Sequence, residues 1–176
     1  TEPDFRLYQW PDALPIWGPD STTGFVVETH RMGGLKEDVE LTVEGLPEGW
    51  TGSVNHSLNH EYRVPQRAFG QKTILTITDP ADAELGAMTE FQVVGRAKVG
   101  DRDIVNRAEA LTLHMFQEPN HFRLSPISRA VVAPPHDFQI STAAVEPSAK
   151  AGDKISIPIR ITTPDGKMPQ SLRVSV

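Results

Sequence analysis

The sequence predicts an all-β fold: an immunoglobulin-like antiparallel β-sandwich with a partial second sandwich behind it. Three observations predict it. Apolar and polar residues alternate with a period of two along several short runs. Gly and Pro, 13 and 15 among 176 residues, are spread along the chain as turn punctuation. No window holds a convincing helical period; the nearest, Asp82–Met88, is short, carries Gly86 and reads as a turn.

The strands follow in chain order. Phe5–Trp10 and Gly24–Thr29 are strand-like, and Asp38–Glu44 sets Val39, Leu41 and Val43 on one face against charges and Thr on the other. Gly52–Asn55 is a short candidate, and Lys72–Thr78 is β-branched and half apolar. Glu90–Val99 and Asp103–His114 flank the polar turn Val99-Gly-Asp-Arg-Asp103, which reads as a hairpin. Seven strands between Asp4 and Phe116 suit one immunoglobulin-like domain of ~100 residues. The expected organisation is therefore a sandwich over 1–116 and a linker over 117–136 stiffened by Pro119, Pro126, Pro134 and Pro135, within which Val131–Ala133 adds at most a short strand. Residues 137–176 form the N-terminal half of a second repeat. There Lys154–Thr162 places Ile155, Ile157, Ile159 and Ile161 in strict alternation, a half-buried strand whose Pro158 predicts an edge or bulged position.

The second block is a partial copy of the first. At an offset of 133, Asp4-Phe-Arg-Leu7 answers Asp137-Phe-Gln-Ile140, Val39–Val43 answers Leu172–Val176, and Gly33 answers Gly166. Between them Phe25–Val27 corresponds to the Ile155–Ile161 strand with its apolar phase slipped by one residue, as a bulge or a single-residue gap would produce. Three strands bury too little apolar surface to stand alone, since chains below about 40 residues need external support. The repeat is expected to be cut short, and to dock on the first domain, pair with another chain or be completed by further residues.

Composition excludes several classes. A formal charge of −6 without long like-charge runs argues against nucleic acid and anionic membrane, which need clustered Lys and Arg. The absence of Cys removes disulfides, thiolate metal sites and a thiol nucleophile. No apolar run reaches transmembrane length and no basic-then-apolar signal opens the chain, which reads as an excised or mature piece of something longer.

Candidate chemistry is sparse. His56 and His60 are four apart but lie in a loop-like setting with no accompanying zinc-protease Glu, so solvated loop histidines explain them better. His30, His114, His121 and His136 are scattered, and no Gly-x-Ser-x-Gly elbow occurs. Asp79, Asp82, Asp101, Asp103 and Asp165 recur at turns. Calcium between repeats is one reading of them; their spacing matches no EF-hand or nonapeptide repeat, and turn chemistry is the simpler one. Asn55-His-Ser57 matches a glycosylation sequon. The richest stretch is Trp10-Pro-Asp-Ala-Leu-Pro-Ile-Trp17. Trp10 and Trp17 bracketed by prolines make a candidate platform for a sugar ring or a partner protein; the preferred reading folds Leu14, Ile16 and one Trp over an open end of the sandwich. Trp50 reads as a core plug.

The segment Val39-Glu-Leu-Thr-Val-Glu-Gly-Leu-Pro-Glu-Gly-Trp50, the later Thr73–Ile77 strand, the Pro80-to-Gly86 spacer and the Phe91–Ala97 strand before a charged hairpin carry a family resemblance. The next repeat opens with Phe138, Val145-Glu-Pro147 and Ala151-Gly-Asp-Lys-Ile155. The chain resembles the tandem immunoglobulin-like repeats of bacterial extracytoplasmic proteins, abundant in planctomycete-like bacteria and often beside pre-peptidase C-terminal domains. It departs from them at Trp50, where a smaller apolar residue is usual, and in the long Trp10–Thr22 insertion. The resemblance implies a non-catalytic spacer or binding module and carries over no functional residue. The expectation is a structural or interaction module, not an enzyme and without cofactor or metal, located in the periplasm, on the cell surface or outside the cell. Its partners are neighbouring repeats or other chains, met through the Ile155, Ile157, Ile159 and Ile161 face or through strand edges. The alternative is a carbohydrate-binding accessory module of a hydrolase, meeting its glycan at Trp10 and Trp17.

Overall fold

A computed structural model of the chain describes residues 2–58, 71–113, 122–135, 139–142 and 158–163. It divides into two compact units, Thr1–Pro134 and Pro135–Val176. The first unit opens with β1 (Asp4–Trp10), β2 (Ala13–Trp17), β3 (Thr22–Met32) and β4 (Val39–Glu44). Two short strands follow, β5 (Thr51–Gly52) and β6 (Val54–Ser57), and then β7 (Gln71–Thr78) and β8 (Met88–Val99). It ends with β9 (Arg102–Arg107), β10 (Glu109–Leu113), β11 (Phe122–Ser125) and β12 (Ser128–Ala133). No helix occurs among the described residues, and Asp82–Met88 is turn and coil up to the first residue of β8.

Two six-stranded sheets face each other. One runs β11-β10-β1-β3-β7-β5; the other runs β2-β12-β8-β4-β6, with β9 also pairing β8. The inner parts of these orders, β1-β3-β7-β5 and β9-β8-β4-β6, are the A-B-E-D and G-F-C-C′ arrangement of an immunoglobulin-like sandwich. The two-residue β5 stands in the D place although it precedes β6 in the chain.

Alternation puts the core where the sequence predicts it. Phe5, Leu7, Phe25, Val27, Leu75 and Ile77 come from the first sheet; Leu14, Ile16, Val39, Leu41, Phe91 and Val93 come from the second, and all are buried. Phe25 and Phe91 meet across the sandwich with ring centroids 5.5 Å apart. Gly95 lies on the inward face of β8 where a side chain has no room: a Cβ there would sit 2.7 Å from Leu7 Cδ1 and 2.8 Å from Phe5 Cε2. Trp50 is partly buried and packs against this core, as its reading as a plug requires.

The β8–β9 hairpin forms as expected, Val99 opposite Arg102, with Gly100 taking a φ of 59° in the two-residue turn. The single strand expected over Asp103–His114 is instead two. At buried Ala108, whose N–H donates to Val93 O at 2.8 Å, the chain leaves β8 and crosses to the other sheet. There β10 pairs parallel with β1. Asn106 Nδ2 stitches the seam by donating to Asp4 Oδ1 at 3.0 Å and Phe5 O at 2.8 Å.

The sandwich is longer than the sequence predicts, and the 117–136 linker expectation is corrected over 122–133. β11 pairs antiparallel with β10, and β12 joins the second sheet between β8 and β2. Ser128, Ala130 and Val132 are buried in alternation while Pro126 and Pro134 flank the strand, so the prolines bound a strand rather than stiffen a tether. The stretch read as an insertion likewise contains an edge strand, β2, parallel to β12.

Arg31 fastens the far end of the sheets. Its guanidinium donates to Glu37 O and to Ser57 O, tying β3 to the β3–β4 loop and to the end of β6. Burial pulls its ionisation below the ordinary arginine range, opposed by the nearby Asp38 and Glu37 carboxylates. Arg31→Met keeps the aliphatic stem and removes the donors. It is expected to lower the unfolding free energy by about 1–3 kcal/mol, measured by urea titration.

In the second unit, β13 (Gln139–Thr142) and β14 (Ile159–Thr162) form a two-stranded antiparallel sheet. Pro158 is exposed just before β14 begins, at the margin of the strand expected over Lys154–Thr162, while residues 154–157 lie outside the described residues.

Candidate functional site

The two tryptophans stand on strands of different sheets. Trp10 ends β1 and is half-buried on the outward face of the first sheet, where Lys72 Nζ lies 5.0 Å from its ring centroid. Trp17 ends β2 on the outward face of the second sheet and is 45% exposed. Between them the Trp10–Pro11 bond is cis, and Leu14 and Ile16 turn into the core. This arrangement brings Trp10 together with its cross-strand neighbours, not with Trp17.

Those neighbours are set by register. Trp10 stands opposite Val26, and Val26 opposite Ile74, so one apolar row crosses β1, β3 and β7 on the outward face. Ile74 is 63% exposed. On the other side of β1 the parallel register, Tyr8 with Glu109 and Gln9 with Ala110, continues to bring Leu111 level with Trp10, and Leu111 pairs with Leu124. The next row is polar: Glu109, Tyr8, Glu28 and Lys72 lie side by side on β10, β1, β3 and β7. His30, beyond Glu28 on the same face, is 2.9 Å from the Glu28 carboxylate and edge-on to Tyr8 at 5.1 Å. The outward face of this sheet thus carries an apolar row beside a charged one. Register, which single-strand patterns do not carry, is what assembles it.

The remaining candidates are dispersed. His56 is exposed on β6, opposite Glu40, and His60, His114, His121 and His136 lie outside the described residues. Among the described residues no three His, Cys, Asp or Glu side chains gather closely enough to hold a metal ion. Asp101 sits in the β8–β9 turn and Asp103 just beyond it, and Asp165 lies outside the described residues. Asp79 has a structural place: 2% exposed, its Oδ1 accepts the Ser21 N–H at 2.8 Å just past the last pair of β3 with β7. Asp79→Ala leaves that N–H unpaired and is expected to lower stability by about 1–3 kcal/mol, read as a shift in the denaturant midpoint. Of the predicted isoleucine face, Ile159 is 54% exposed and Ile161 partly buried, while Ile155 and Ile157 lie outside the described residues.

No family model matches the chain, and no curated protein does. Among solved structures, the ASH / PapD-like domain of human CEP192 (PapD-like domain 7) is similar, at 11% identity over 62% of this chain and 85% of that one, with a TM-score of 0.28. The immunoglobulin-like assignment rests on the strand order of the two sheets.

Proposed function

We propose that the chain is a non-catalytic structural and interaction module of a bacterial periplasmic, cell-surface or secreted protein, holding one immunoglobulin-like repeat and the opening of the next. The observation that supports this most is a repeated pairing. In the first unit β1 and β3 pair as Arg6↔His30, Leu7↔Thr29, Tyr8↔Glu28 and Gln9↔Val27. In the second, β13 and β14 pair as Gln139↔Thr162, Ile140↔Ile161, Ser141↔Arg160 and Thr142↔Ile159. Gln139 lies 133 residues after Arg6, and Thr162 lies 132 after His30, so the ladder recurs with one residue fewer between its strands. That missing residue matches the slip in apolar phase between Phe25–Val27 and Ile155–Ile161. Ile159 and Ile161 then stand where Val27 and Thr29 are buried in the first unit, on the face a second sheet covers.

The planctomycete-type repeat family is the parentage we propose on the Val39–Trp50 resemblance. Fractionation of the source cells tests the location, with the protein expected outside the cytoplasm; recovery from the cytosol overturns it. Saturable turnover of a substrate by the purified chain, lost on unfolding, would overturn the non-catalytic reading.

A second reading, a carbohydrate-binding accessory module, draws on Trp10 and Tyr8 sharing an outward face with Glu28 and Glu109. Glycan-array binding that disappears in Trp10→Ala or Trp17→Ala would place it first.

A further inference from the structure

We infer that the outward face of the β10-β1-β3-β7 sheet is a self-association surface whose partner is a second copy of this chain. Only the first unit is needed, so the inference stands whether or not further repeats follow.

Charge complementarity across a two-fold axis supports this pairing. Sheets packed face to face align their strands within about 30°. A symmetric pair must present the same patch on both copies. Take an axis parallel to the strands and midway between β1 and β3. It lays β10 of one copy over β7 of the other, and β1 over β3. The polar row Glu109–Tyr8–Glu28–Lys72 then meets its own reverse. Glu109 of each copy faces Lys72 of the other, and each Tyr8 hydroxyl faces a Glu28 carboxylate. The apolar row reverses just as well: Leu111 faces Ile74, and Trp10 faces Val26.

Every pair in those two rows is favourable, and the charged contact occurs twice. Lys72 keeps its place over its own Trp10 ring, since an ammonium carries three donors. Desolvating Ile74, 63% exposed in the single copy, supplies the apolar part of the contact. Four strands at a spacing of ~4.8 Å, over the seven residues of β1 at a rise of ~3.4 Å each, give roughly 460 Å² on each copy for the whole face. That is the low end for specific interfaces, so the expected dimer is weak, with a dissociation constant on the order of 100 μM.

The test is sedimentation equilibrium on the full chain, with thermal melts confirming that each variant folds. Wild type is expected to dimerise, less so at high salt. Glu109→Lys alone sets Lys against Lys twice, and Lys72→Glu alone sets Glu against Glu twice; each is expected to weaken association at least tenfold. Mixing the two variants in equal amounts restores opposite charges at both contacts and is expected to give a mixed dimer. Recovery on mixing reads a contact between copies and nothing within one copy. Wild type that stays monomeric to about 1 mM overturns the inference, as does association that either single variant leaves unchanged or that mixing fails to restore. Oligosaccharide that shifts the Trp10 fluorescence of a strictly monomeric chain would overturn it in favour of a glycan surface.

Discussion

Gly95→Val is expected to abolish the cooperative unfolding transition of the first unit or to shift it to far lower temperature. Even a Cβ at this position approaches Leu7 Cδ1 to 2.7 Å, Phe5 Cε2 to 2.8 Å and Val39 Cγ1 to 3.1 Å. Three neighbours from two strands, β1 and β4, converge on the same point, so relief in one direction compresses another. Gly95→Ala, with one methyl, is expected to lower stability by about 1–3 kcal/mol, the usual range for overpacking. Valine adds two further methyls in a space bounded by an aromatic ring, with one strongly restricted side-chain torsion. Far-UV circular dichroism melts on wild type and the two variants give the ordering directly. Adding Phe5→Leu to Gly95→Ala should recover part of the loss, because the two residues are in contact and their effects are not additive. A Gly95→Val protein melting like wild type would contradict the packing described for the sheet interface.

The second large effect is at Phe91, 2% exposed and tilted against Phe25 across the two sheets. Phe91→Ala removes the ring and leaves a cavity between layers that β8 and β3 hold apart on both sides. The expected loss is about 3–5 kcal/mol. For a domain of this length that lowers the melting temperature by roughly 10–20 °C. Phe91→Leu keeps most of the volume and is expected to lose less than half as much. Urea titration separates the two if the slope is unchanged and only the midpoint moves.

Much of this architecture was legible in the sequence. β1, β3, β4 and β7 alternate, one face wet and one dry, and β8 does so except at buried Val94, so period-two patterning places them near their true bounds. The β8–β9 turn was legible because Gly100 supplies the local conformation a tight hairpin demands. What was hidden are the strands that owe their existence to distant partners. β10 and β12 pair in parallel with β1 and β2, about a hundred residues earlier, and no turn chemistry announces such a pairing. The prolines around 126–135 point toward a linker, although Ser128–Ala133 alternates as regularly as any strand here. The surface was hidden for the same reason: Trp10 stood out by type, but only register shows that Val26, Ile74 and Leu111 continue its row while Trp17 lies elsewhere.

The two parallel pairings have a mechanical consequence. β2 enters near the start of the first unit and β12 leaves at its end, matched from Ala13↔Arg129 to Trp17↔Ala133. Opposed pulling on the start of β2 and the end of β12 acts along the strand direction, so the hydrogen bonds of the pair are loaded together instead of peeling one by one. The same holds for β1 against β10. The first unit is thus closed by two parallel clasps, one in each sheet, each joining an early strand to a late one.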